Sequence, residues 1–198
     1  MRSEEYLQKY HGVTKFLRIL AQISFWLVVV LGAASLALGV ATLFMSSDSF
    51  TFNFLDNIRL SMDGVLQFDL SLANITATTK KEIITTILFA LSSFAIIYGL
   101  IISQLTSFLK TVENGMPFAS ANVKRLNMIG ILFIVGSFII NTVYGLVANK
   151  IIHALGISTL SVNLQSDANM LFMGIIIIIL AGIFRYGSYL QDEYDATI

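Results

Sequence analysis

Cysteine is missing from this chain of 198 residues, proline occurs once, and only 12% of the residues are charged. Without cysteine there are no disulfides, no thiolate nucleophile and no cysteine-based zinc or iron–sulfur site. Lys and Arg number 12, as do Asp and Glu, so the net charge is zero and no basic face exists to neutralise a nucleic-acid backbone. Direct nucleic-acid binding is therefore excluded. What fills the chain instead is apolar: 56% of it is hydrophobic, with a mean hydropathy of +0.81.

Four windows hold no Asp, Glu, Lys or Arg: between Arg18 and Asp48, Glu82 and Lys110, Arg125 and Lys150, and Asp167 and Arg185. An apolar helix needs roughly 20 residues to cross a hydrocarbon core about 30 Å thick. The last window reaches that length by running on to Leu190 while Arg185 snorkels. The windows predict transmembrane helices at about 16–46, 82–111, 121–149 and 168–190 in a single integral membrane domain, 1–198. The first window exceeds a signal core of about 7 to 15 residues and no Ala-x-Ala site follows it, so it reads as a retained helix.

The basic residues set an orientation. Arg2, Lys9, Lys15, Arg18, Lys110, Lys124, Arg125 and Arg185 fall on one side, and Arg59, Lys80, Lys81 and Lys150 on the other, spread over longer segments. The positive-inside rule then puts both termini, the central loop 112–120 and the tail 191–198 in the cytoplasm. Loops 47–80 and 150–167 lie outside.

In the first outer loop Phe50, Phe52 and Phe54 alternate with polar residues, as do Ile58, Leu60 and Met62, and then Leu66, Phe68, Leu70 and Leu72. A period of two reads as half-buried strands, and Asp56-Asn57 and Asp63-Gly64 supply turns. The pattern predicts a three-stranded meander, with Leu160, Val162 and Leu164 as a fourth strand from the second outer loop. The expected fold is an all-α transmembrane four-helix bundle with a small extracellular antiparallel β-sheet cap. This resembles the architecture of claudins, without the cysteine pair and tryptophan motif of their first outer loop, so only the architecture is compared.

Inside the spans Ala33, Ala37 and Ala41 recur every four residues, as do Ser35 and Gly39, a spacing that lets helices pack closely. The polar residues there are Gln22, Ser92, Ser93, Gln104 and Asn141, all uncharged, whereas an ion path usually carries buried Asp, Glu, His or Arg. Asn141 reads as an interhelical hydrogen bond. Chemistry is scarce. His11 and His153 fall on opposite sides of the membrane and lack the spacing of a zinc helix. Ser107 and Lys110 match an S-x-x-K pattern without its supporting elements, and Asn74-Ile75-Thr76 is a short glycosylation pattern with no assigned role. The reading is of a non-enzymatic protein with no catalytic residue, metal or cofactor.

The informative polar residues lie on the inner face. Asn114-Gly115 can take a left-handed helix stop, Pro117 prevents the helix from resuming, and Ser120 can cap the next one. The last helix runs from Phe184 through Arg185 and Gly187 into Asp192, Glu193 and Asp195, carboxylates set against the helix dipole. Their expected counterions are Lys110, Lys124 and Arg125, with Asp192 and Glu193 docking the tail on Lys124 and Arg125.

The segment Glu113 to Phe118 reads E-N-G-x-P-F, Asn122 to Leu126 reads N-x-x-R-L, and the chain closes with F-R-Y-G-x-x-L-Q-D-E-x-D-x-T-I. These motifs resemble the bacterial DUF2975 membrane proteins, with Ala196 where many members carry leucine. The resemblance implies a bacterial plasma membrane, four spans and a neighbouring helix-turn-helix regulator of the Cro/C1 type, and it implies no enzyme. The candidate interaction motif is Asn114, Gly115, Pro117, Phe118, Asn122, Arg125, Arg185, Gly187, Leu190, Asp192, Glu193, Asp195 and Thr197. The leading expectation is a regulatory or interaction protein coupling the outer cap to such a cytoplasmic partner. The alternative is a small transporter, channel or immunity-type protein acting on peptides or lipids in the bilayer, with a homo-oligomer forming its pore.

Overall fold

The structure, a computed structural model, describes residues 2–51, 57–62, 66–71, 75–156, 162 and 167–195. Four long helices dominate: α1 (Arg2–Phe44), α2 (Ala77–Glu113), α3 (Ser120–Ala154) and α4 (Ala168–Asp195). Each contains a stretch long and apolar enough to cross a membrane, at His11–Phe44, Ala77–Glu113, Ser120–Ala154 and Ala168–Tyr194. The chain is a multi-pass membrane protein. The helices overrun the uncharged windows because charge marks where hydrocarbon ends, whereas Glu, Lys and Arg are themselves good helix formers. Local caps set two of the starts. Thr76 Oγ1 accepts the Thr79 N–H at 3.3 Å ahead of α2, and Asp167 Oδ1 accepts the Asn169 and Met170 N–H groups at 2.9 and 3.1 Å ahead of α4.

The expected β-sheet cap is not present. Where Phe50 was to open a strand, Ser47–Phe50 is a 3-10 turn closed by the Ser49 N–H on the Ser46 carbonyl at 3.2 Å. Ser46, Ser47, Asp48 and Ser49 favour local turn bonds over a ladder, and Phe50 is already buried at 3% exposure without strand pairing. Among the described residues strand pairing is confined to one antiparallel hairpin, β1 (Asn57–Met62) with β2 (Leu66–Ser71), running from Asn57↔Ser71 to Met62↔Leu66. Among the described residues no third strand joins it. Two strands alone lack the apolar face that a cap would need. Val162 is not in a strand, and the remaining expected strand positions, 52–54, 72, 160 and 164, lie outside the described residues.

The chain divides into two compact units. The first comprises Met1–Gly32, Ser93–Asn141 and Gln165–Ile198, and so draws on all four helices. Its core is Ile97, Ile101, Ile129, Ile140 and Met170, with Phe94, Leu132, Phe133 and Ile177 packed against them. Lipid tails are as apolar as these side chains, so close backbone approach has to supply the attraction between helices. A Cβ at Gly130 would stand 2.9 Å from the Gly174 carbonyl, and one at Gly174 would stand 2.8 Å from the Gly130 carbonyl. That reciprocal contact is where α3 and α4 meet most tightly.

The second unit comprises Ala33–Ser92 and Thr142–Leu164. Of the two small-residue stripes on α1, Ser35 and Gly39 are buried, Gly39 facing the side chains of Leu88 and Phe89, while Ala33, Ala37 and Ala41 are exposed. Thr42 Oγ1 and Thr85 Oγ1 share a hydrogen bond of 2.8 Å beside Gly39. Lys81 Nζ donates to the Met45 carbonyl at 2.6 Å, satisfying backbone just beyond the end of α1, and Lys150 pairs with Glu82 at 2.7 Å on the surface.

Candidate interaction site

The candidate site is the turn between α2 and α3, in the first unit. Gly115 adopts a φ of 78°, which a side chain would strain. Its N–H bonds the Val112 carbonyl and the Met116 N–H bonds the Thr111 carbonyl, both at 3.0 Å. This pair is the Schellman closure, which satisfies the otherwise orphaned carbonyls at the end of α2. Pro117 follows, and α3 begins at Ser120.

Asn122 locks the turn from within. It is fully buried at 0% exposure. Its Nδ2 donates to the Pro117 carbonyl at 2.8 Å, and its Oδ1 accepts from Arg125 Nη1 at 2.8 Å. The Thr111 hydroxyl lies 2.6 Å from the same Oδ1 and 2.7 Å from the Phe108 carbonyl, with one proton to give to either. It also accepts from Arg125 Nη1 at 3.1 Å. The N-x-x-R spacing thus puts an amide and a guanidinium one turn apart on α3, both reaching back across the turn to the last residues of α2.

Helix α1 ties down the same corner. His11 Nδ1 donates to the Glu113 carbonyl at 3.0 Å, and Arg18 Nε donates to the Glu113 carboxylate. A residue pair seven apart lies on one helical face, so a single face of α1 holds both the backbone and the side chain that end α2. On the other flank the Phe118 ring lies over Gly187, where a Cβ would come within 2.8 Å of Cε1. Phe118 also stacks at 5.2 Å on Phe184, which meets Phe108 at 5.7 Å. The F-R-Y-G motif is therefore the seat for the final Phe of E-N-G-x-P-F.

Gly115, Pro117, Phe118, Asn122, Arg125 and Gly187 meet as one assembly, with Asn114 exposed on its rim. Arg185, Leu190, Asp192 and Glu193 are exposed on α4, Asp195 ends that helix, and Thr197 lies outside the described residues. The expected docking of Asp192 and Glu193 on Lys124 and Arg125 is not seen among the described residues. Arg125 is committed to Asn122 and Thr111. Asp192 and Lys124 are exposed and enter no ion pair among the described residues. Three members of the site carried no sequence signal of membership, His11, Arg18 and Thr111, while Phe184 opens the F-R-Y-G motif without having been named a candidate. The nearest hint was that Arg18 and Glu113 are opposite charges predicted at the same membrane surface.

Asn141 donates to the Ser137 carbonyl of its own helix at 2.8 Å, which corrects the interhelical reading. Ser107 and Lys110 make no hydrogen bond to each other among the described residues. The comparisons with curated proteins and with solved structures give no match. The family model described as "Protein of unknown function (DUF2975)" matches residues 67–198, well over half of the chain, including the whole α2–α3 turn and α4, and the chain belongs to that family.

Proposed function

We propose that this protein is a non-enzymatic interaction protein of the bacterial plasma membrane, with both termini cytoplasmic. In this reading the α2–α3 turn and the end of α4 engage a soluble cytoplasmic partner such as a helix-turn-helix regulator. The observation that carries the reading is a surface held rigid from beneath. Asn122 fixes the turn with no exposure of its own, while Met116 on the turn and Tyr186, Tyr189, Leu190, Asp192, Glu193 and Tyr194 on the end of α4 are exposed. Tyrosines give large contact area at low entropic cost, and the carboxylates suit a basic partner, as DNA-binding regulators are.

Affinity purification of the tagged protein from its own membranes, beside a variant truncated after Leu190, tests the proposal. Recovery of a helix-turn-helix protein with the full chain but not with the truncation is the expected result. A soluble fraction identical for both, with no such protein, would overturn it. The transporter or channel alternative draws on the polar groups near Gln22. It predicts solute flux in proteoliposomes that is lost in Gln22→Leu, and Asn141, bonded within its own helix, offers it nothing.

A further inference from the structure

A cavity of about 330 Å³ opens between α1 and α2 beside the Arg18–Glu113 pair. It is layered. Arg18 and Lys110 line one end of it, Gln22 and Ser107 come about one turn deeper, and Phe25, Trp26 and Ser103 lie nearer the centre of the spans. Several hydroxyls on α2 bond back to their own helix: Thr85, Thr86, Ser92 and Thr106 each donate to a carbonyl one turn earlier. Ser103 and Ser107, one turn apart, make no side-chain hydrogen bond among the described residues, and neither do Gln22 and Lys110.

Ser103 and Ser107 are half-buried, Gln22 and Lys110 exposed, and polar groups at the edge of a membrane span are costly unless something satisfies them. Lys110 and, beside it, Arg18 can only donate, and the two hydroxyls and the Gln22 amide can donate as well as accept. Glu113 offsets Arg18, which leaves Lys110 as the charge without an ion pair among the described residues that line the cavity. The complementary ligand is a singly charged anion with several acceptor oxygens, which describes a phosphodiester. Trp26, 58% exposed at the far end, opens the groove toward lipid and gives the ligand an apolar body as well. We propose that this groove binds the phosphate of an anionic phospholipid, with Lys110, Ser103 and Ser107 on its oxygens and the glycerol and upper acyl chain along Phe25 and Trp26. Basic pockets between membrane helices take phospholipid headgroups by the same physics.

The full chain in nanodiscs of phosphatidylglycerol or of phosphatidylcholine, with lipids retained through detergent exchange counted by native mass spectrometry, tests the assignment. Wild type should retain phosphatidylglycerol preferentially. Lys110→Gln should weaken that retention about five-fold, the effect of one basic residue at an anionic surface. The Ser103→Ala/Ser107→Ala double variant, which removes no charge, should weaken it as well. Lys124→Gln, an exposed cation away from the groove, should leave it unchanged. Equal loss in Lys124→Gln, or retention indifferent to headgroup charge, would overturn the proposal. Displacement of the lipid by millimolar inorganic phosphate alone would assign the same donors to a free anion and overturn the lipid as the ligand.

Discussion

At the scale of single residues, Asn122 has the most to lose. Replacing it with Ala strands the Pro117 carbonyl and removes an acceptor from Arg125 and Thr111 in a dry site. Asn122→Ala should cost about 2 to 3 kcal/mol, read as a lower Tm in detergent. Asn122→Leu keeps the volume and removes both polar ends, so its Tm should fall about as far; a much smaller fall would mean that packing, not hydrogen bonding, holds the turn. The Arg18–Glu113 pair is intermediate, with side chains 26% and 11% exposed. A double-mutant cycle with Arg18→Gln and Glu113→Gln should return a coupling of about 1 to 2 kcal/mol, between an exposed pair and a buried one. The motif spacing made Asn122 and Arg125 legible in advance. Thr111 was not, because a hydroxyl on the far side of a turn joins a network only once the turn has closed.

At the scale of helices, two small-residue patterns with the same spacing have different fates. Gly130→Ala would press a methyl against the Gly174 backbone, which cannot give way as a side chain can. It should destabilise the protein by about 1 to 3 kcal/mol, measured by thermal unfolding in detergent. Ala37→Leu, on the exposed stripe of α1, should stay within about 0.5 kcal/mol of wild type. Spacing alone marks both stripes of α1 as candidates for packing. Which of them is buried depends on how α1 is rotated about its own axis, and no local pattern encodes that. The outer loop shows the opposite limit. Alternation along β1 and β2 is real, but alternation near Phe50 gives way to a serine-rich turn that buries the same phenylalanine at less cost in chain ordering.

At the scale of the whole molecule, the lack of cysteine is an experimental advantage, since any introduced thiol is unique. Asp48→Cys and Asn114→Cys place one in each polar region, at exposed positions. With the proposed orientation, a membrane-impermeant maleimide should label Asp48→Cys on intact cells and Asn114→Cys only after the membrane is opened. The reverse pattern would invert the topology and put the interaction site outside the cell.

Sequence by itself determined the number and place of the membrane spans, because transfer from water to hydrocarbon is a sum over local composition and needs no partner. It also determined where α2 stops, since Asn114, Gly115 and Pro117 act through their own backbone dihedrals. Tertiary structure alone decided which groups meet: His11 and Arg18 on Glu113, Phe118 on Gly187 and Phe184, and the unpaired hydroxyls of Ser103 and Ser107 beside Lys110. Those meetings depend on the rotation and register of one helix against another. Rotation and register are set by close contacts between small residues far apart in the chain, as at Gly130 and Gly174.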